Sequence, residues 1–143
     1  MEDLSLHVLD IMENSIRAGA RTVSLRLSAD EVGDLLILEV ADDGEGMAEE
    51  ARRRALDPFF TTKERKRFGL GLPLLAQAAE ATGGGVTVES RPGQGTRVRA
   101  MFHPGHVDMK PLGEVGKTVA LLQAAHPEVR FSFSFEHEEQ PPA

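Results

Sequence analysis

The chain has 143 residues, 41% of them hydrophobic and 27% charged, with a formal net charge of −7 and no cysteine. That length suits one domain, because a core of this size buries roughly two-thirds of the surface an unfolded chain exposes. Lack of cysteine excludes disulfides, thiolate metal sites and a cysteine nucleophile, and the acidic balance argues against a nucleic-acid partner, whose phosphates require clustered Lys and Arg. The apolar stretches are shorter than the roughly 20 residues of a membrane-spanning helix, and the opening MEDLSLHV is acidic where a signal peptide is basic. A cytoplasmic protein with no membrane contact is expected.

In chain order, Leu4, Val8, Ile11, Met12 and Ile16 recur at helical spacing, and RAGA follows with a glycine suited to ending a helix. TVSLRLS (22–28) alternates, and DLLILEVAD (34–42) follows the turn DEVG, which predicts a β-hairpin with a well-buried second strand. AEEARRRALD (48–57) predicts a short helix ending before Pro58, and FFTTKERKRFG (59–69) a basic loop. LGLPLLAQAAEAT (70–82) predicts a helix closed by GGG, and VTVES (86–90) with TRVRAMF (96–102) a second hairpin across RPGQG. In the tail, LGEVGKTVALLQAAH predicts a helix and VRFSFSFEH an amphipathic strand. Alternating phenylalanines usually face inward, so Phe131, Phe133 and Phe135 are expected to complete the core, the alternative being a partner surface.

DDGEGM (42–47), directly behind a strand, puts carboxylates and bare backbone in one turn. A carboxylate at the strand's end accepts hydrogen bonds, so Asp42 suits a donor such as the amine of adenine. Gly44 and Gly46 allow close approach of backbone or of a flat ligand. The bland reading, an acidic turn, is open to this stretch alone. Asp10 and Asn14 share a helix face; Asn14 offers an oxygen suited to Mg²⁺, and Arg17 lies one turn on, able to meet a phosphate. In RFGLGL (67–72) glycines precede a helix, where free N–H groups attract phosphate, and Lys63, Lys66 and Arg67 lie upstream. PGQGT adds the hydroxyl of Thr96.

Taken in order, the helix with Asn14, then Asp-x-Gly-x-Gly, DPFFTTK, GLGL and GQGT resemble the GHKL ATPases, specifically the ATP-binding domain of sensor histidine kinases, over roughly residues 4 to 102. ENSIRAGA also resembles the corresponding helix of DNA mismatch-repair ATPases. The resemblance implies an α+β fold, a two-layer sandwich (Bergerat fold) with helices over one face of a mixed, mainly antiparallel sheet, and ATP between helices and a lid. It implies Mg²⁺ on Asn14, the adenine amine on Asp42, an adenine pocket shaped by Gly44, Gly46 and Met47, Lys63 near phosphate in a lid at 58–69, phosphate on Gly69, Leu70 and Gly71, and Thr96 at the adenine end. The domain spans 1–102, with 103–143 as an extension packed on it.

Three departures qualify the resemblance. The helix begins almost at Met1, and His7 on that helix is badly placed as a phosphate acceptor, so transfer is expected in trans to a separate protein. Asp10, the candidate catalytic residue, stands where hydrolysing members carry glutamate and is one methylene shorter; a general base must come within about 3 Å of the water it activates. Glu13 points about 100° away from Asn14. Arg67 and Phe68 stand where the glycine box usually begins. GEVGKT (113–118) resembles half a P-loop, but the leading glycine falls at Pro111 and the stretch lies within a helical pattern. Three functions are compatible with these residues: a phosphotransferase acting in trans, an ATP hydrolase of mismatch-repair type, and an anti-sigma-like binding module gated by nucleotide.

Overall fold

A computed structural model describes residues 3–57 and 71–138. Its elements run α1 (Leu4–Arg17), β1 (Thr22–Asp30), β2 (Leu35–Asp42), α2 (Glu49–Arg54), α3 (Gly71–Glu80), β3 (Gly85–Ser90), β4 (Thr96–Phe102), α4 (Val115–Ala125) and β5 (Arg130–Glu138). The strands form one sheet in the order β3-β4-β2-β1-β5, antiparallel throughout except for the parallel pair β1–β5. This is the mixed, mainly antiparallel α+β architecture expected from the sequence.

The periodicity of α1 becomes one buried stripe, Leu4, His7, Val8, Ile11, Met12 and Ser15. The helix stops because Gly19 takes φ 79°, which lets its N–H reach the Ile16 carbonyl (3.0 Å) and the Ala20 N–H reach that of Ser15 (3.1 Å). This pair of reversed bonds satisfies carbonyls the helix end leaves over, at a backbone angle that side chains resist. α3 ends the same way, with Gly83 at φ 88° and the N–H of Gly84 on the Ala79 carbonyl (3.0 Å).

Period two decides which side chains of the sheet meet the helices. Leu25, Val40, Val98 and Val88 form one cross-strand rung, and Leu27, Leu38, Ala100 and Val86 the next. All are buried except Val86, which is partly so, and with Phe102 they meet the inner sides of α1, α3 and α4 in a single core. The opposite face carries Arg26, Glu39, Arg97 and Arg99, with Arg97 3.2 Å from Glu39.

The tail joins the same layers. Val115, Val119, Leu122 and Val129 are buried in the core, and the amide of Gln123 ties helix to strand, donating to the Val129 carbonyl (2.8 Å) and accepting from the Phe131 N–H (3.2 Å). The phenylalanines depart from the expectation of inward burial. Phe131 is partly buried, but Phe133 and Phe135 are 40% and 48% exposed. β5 is the outermost strand, and over Phe133 α4 presents Gly116, which has no side chain to cover the ring. No helix among the described residues is long and apolar enough to cross a membrane.

Candidate functional site

One rung beyond Leu25–Val40–Val98–Val88, the same inner face changes character. The aligned residues are Val23, Asp42, Thr96 and Ser90, so three polar side chains replace apolar ones at the sheet's end. Asp42 points towards α1. Its Oδ2 accepts the hydroxyl of Ser15 (2.5 Å) and its Oδ1 the N–H of Gly44 (2.9 Å). Each oxygen has two lone pairs, so this half-buried carboxylate retains the capacity to accept a further donor.

The loop behind Asp42 is held by backbone and side-chain hydrogen bonds together. Asp43 accepts the N–H groups of Arg21 (2.8 Å) and Thr22 (2.9 Å), and these bonds, that of Thr22 foremost, hold its carboxyl below the usual carboxylate range. The N–H of Glu45 bonds the Ala18 carbonyl (2.9 Å), and the Glu45 carbonyl accepts from Gly93 (2.7 Å). Ser90 Oγ accepts the Met47 N–H (2.8 Å), donates to the Gly95 carbonyl (3.0 Å) and meets the Thr96 hydroxyl (2.8 Å). The loop therefore closes onto both the end of α1 and the 91–95 turn.

Glycine is required here by that closeness. Gly46 sits at φ 71° and Gly95 at φ 81°; a side chain on the first would overlap the Arg91 carbonyl and on the second the Asp42 carbonyl. A Cβ on buried Gly44 would lie 2.9 Å from the Ala18 carbonyl oxygen. Met47 packs, partly buried, on the core.

A second group lies along the outer side of α1. Asn14 Oδ1 accepts from Arg17 Nη1 (3.2 Å), and Arg17 also stands 3.7 Å from Glu13. α3 begins against the middle of this helix: a Cβ on Gly71 would be 3.0 Å from that of Asp10 and 3.4 Å from Ile11 Cδ1. The first described turn of α3 thus abuts an exposed carboxylate. Asn14 and Ser15, adjacent in sequence, join this group to the Asp42 group.

The structure therefore gathers Asp42, Gly44, Gly46, Met47 and Thr96 on one side and Asp10, Asn14, Arg17 and Gly71 on the other. Lys63, Lys66, Arg67, Phe68, Gly69 and Leu70, with the expected lid at 58–69, lie outside the described residues. The sequence reading missed Ser15, Asp43 and Ser90. A signal existed for Ser15, a polar residue on the otherwise apolar stripe of α1; none existed for Ser90, whose partners are distant in sequence.

No cluster of three or more acidic or histidine side chains among the described residues could cage a metal ion. Asn14 offers one carbonyl oxygen, which fits Mg²⁺ held chiefly by water and phosphate oxygens. The P-loop look-alike is held by its own neighbours: Gly116, Lys117 and Thr118 lie in the first turn of α4 after a long loop, Lys117 is 3.6 Å from Glu114, and the Thr118 hydroxyl donates to the Glu114 carbonyl (3.3 Å).

Residues 2–106 match the family described as histidine kinase-, DNA gyrase B- and HSP90-like ATPase, and the chain belongs to that family. Among curated proteins it is similar to nitrogen regulation protein NtrY of Azorhizobium caulinodans, 40% identical over 76 residues covering 52% of this chain and 10% of the relative. The non-motile and phage-resistance protein of Caulobacter vibrioides is 33% identical over 112 residues, 72% of this chain and 13% of the relative. The chain thus spans a small part of these relatives. In fold it is similar to the Aquifex aeolicus MutL ATPase domain complexed with ADP (TM-score 0.60, 19% identity, 98% of this chain and 62% of that one). It is also similar to the catalytic domain of histidine kinase ThkA (TM-score 0.52, 22% identity, 68% and 64%).

Proposed function

We propose that this chain binds Mg-ATP in the space bounded by the Asp42 rung, the outer side of α1 and the start of α3, and passes the γ-phosphate to a separate regulatory or signalling protein. The observation that carries the reading is the fixing of Asp42: with one oxygen on Ser15 and the other on the Gly44 N–H, the carboxylate is oriented before any ligand arrives. Such preorganisation favours a specific donor, and the adenine amine supplies one. Gly44 and Gly46 keep the loop backbone at the pocket's edge, Met47 flanks the base, and Thr96 lies across from Asp42. Asn14 holds Mg²⁺, Arg17 turns from Asn14 towards phosphate, and Gly71 with the α3 N-terminus receives phosphate, joined by Gly69, Leu70 and Lys63. When bound, Mg²⁺ neutralises charge on the phosphates, and the chain's share is positioning. His7 is 97% buried at 3% exposure, which supports an acceptor elsewhere.

Melting temperatures with ATP, ADP and Mg²⁺ test the binding, since a ligand bound only to the native state raises stability by mass action. The wild type is expected to shift and Asp42→Asn to shift little or not at all; equal shifts in both would remove the adenine role from Asp42. Incubation with γ-labelled ATP and candidate partners tests the transfer, and label absent from every protein under proven binding would count against it.

Hydrolysis is the second reading, favoured by the placement of Asp10 beside the start of α3. Phosphate release that disappears in Asp10→Ala supports it, and release that persists takes the base role from Asp10. Complex formation that needs ATP without turnover would indicate a nucleotide-gated binding module.

A further inference from the structure

The polar rung at the sheet's end runs from Asp42 on β2 through Thr96 on β4 to Ser90 on β3. Ser90 Oγ makes three contacts there: with the Met47 N–H (2.8 Å), the Gly95 carbonyl (3.0 Å) and the Thr96 hydroxyl (2.8 Å). A serine hydroxyl has one proton to give and two lone pairs to fill, so three contacts use its whole capacity. The Met47 N–H only donates and fills one lone pair. Two acceptors then compete for the single Ser90 proton, the Gly95 carbonyl and the Thr96 oxygen.

Gly95 is a buried residue, and among the described residues Ser90 is the one donor its carbonyl meets. A buried carbonyl without a donor is costly, whereas the Thr96 hydroxyl can turn its own proton towards a neighbour. The Ser90 proton therefore goes to Gly95, and Thr96 donates to Ser90. We infer that Ser90 fixes the base selectivity of this site: by taking up the Thr96 proton, it leaves the Asp42–Thr96 end of the rung able only to accept hydrogen bonds. The inference rests on the Mg-ATP reading proposed for this space, and it adds a residue that touches no base and acts through Thr96.

The neighbouring donors are spent in the same way. The Ser15 hydroxyl and the Gly44 N–H both go to Asp42, so carboxylate and threonine alike present lone pairs. An exocyclic amine, as on adenine, offers hydrogens to such an edge. A ring carbonyl, as on hypoxanthine or guanine, sets lone pairs against lone pairs, and a site built to meet an N–H rejects a ligand that lacks it because buried groups are left unmatched. Without the Ser90 hydroxyl the Thr96 proton is free to turn into the space and meet a carbonyl there. Ser90 is thus a positioning residue for the base.

Calorimetric binding of ATP and of inosine triphosphate to the full chain, well below each variant's melting temperature, is the test. The two nucleotides share sugar and phosphates, so the ratio of their dissociation constants reads the base alone. The wild type is expected to favour ATP by about a hundredfold or more. Ser90→Ala lowers that preference about tenfold, the scale of one hydrogen bond, and Ser90→Thr, which keeps the hydroxyl, retains it. Thr96→Val lowers the preference by itself, and adding Ser90→Ala to it changes the ratio no further, because the group Ser90 acts through is gone. Ser90→Cys, close in size and only a weak hydrogen-bonding group, takes the place of Ser90→Ala should that variant not fold. A preference unchanged in these variants, one lost in Ser90→Thr, or an equal further drop on top of Thr96→Val would overturn the role of Ser90 and leave the nucleotide reading standing. A wild type that binds neither nucleotide, or both alike, would overturn the two together.

Discussion

The loop after β2 and the β5 edge handle their groups in opposite ways. Around Asp42 nearly every polar atom is held: the carboxylate by Ser15 and Gly44, the following Asp43 by two N–H groups, and the loop by Ser90 and Gly93. At β5, among the described residues, β1 is the one neighbouring strand, the Gln123 amide bonds the edge at Val129 and Phe131, and the rings of Phe133 and Phe135 are 40% and 48% exposed. The first region fixes a geometry within the monomer, and what is fixed is a polar rung at the end of an apolar stack. The second leaves apolar side chains partly exposed at the sheet's edge. Hydrogen bonds are concentrated at the polar rung, and exposed apolar surface at the sheet's edge.

The sharpest way to break this contrast is to compare phenylalanines. Phe102 is 1% exposed and sits in the core, so Phe102→Ala is expected to lower unfolding stability by about 3–5 kcal/mol. The same change at Phe133 should cost less than about 1 kcal/mol in dilute solution, as exposed positions generally do. Chemical denaturation measures both, and similar losses would mean that the β5 face is core after all.

Gly46→Ala comes next. It forces a side chain into a left-handed backbone position against the Arg91 carbonyl, and an expected loss of roughly 2–3 kcal/mol follows from strain and overlap. A loss under about half of that would show that the loop yields, and that its glycines are permissive rather than required.

The smallest effect concerns Asp43. Its carboxyl is held below its ordinary range by the Thr22 and Arg21 N–H groups, so its contribution is fully present above the unfolded-state pKa of about 3.9 and is lost as pH falls through the lower folded-state value. Asp43→Asn should therefore be less stable than wild type at pH 7, with the gap narrowing below about pH 4. A gap independent of pH would assign the loss to packing instead of charge.

Much of this arrangement is legible in the sequence. The spacing of Leu4, Val8, Ile11 and Met12 marks both α1 and its buried side, and the alternation in LLILEVAD marks the inner face of β2 down to Asp42. The expected helix at 48–57 shortens to Glu49–Arg54, where charged residues give no apolar side to extend it. The Asp42 rung is half visible: the sequence marks Asp42 and Thr96 separately, but their direct opposition depends on the register of β2 against β4. The role of Ser15 is not visible locally, because its partner is 27 residues away.

Period and turn chemistry are local, and so the helices, the hairpins, the glycine-ended caps and the faces that turn inward follow from short stretches of sequence. The parallel place of β5 beside β1 at the sheet's edge, the partial exposure of Phe133 beneath Gly116 and the bond from Ser15 to Asp42 arise from long-range packing. Alternation says which side chains share a face, whereas what covers that face depends on contacts between segments far apart in the chain, which no local pattern encodes.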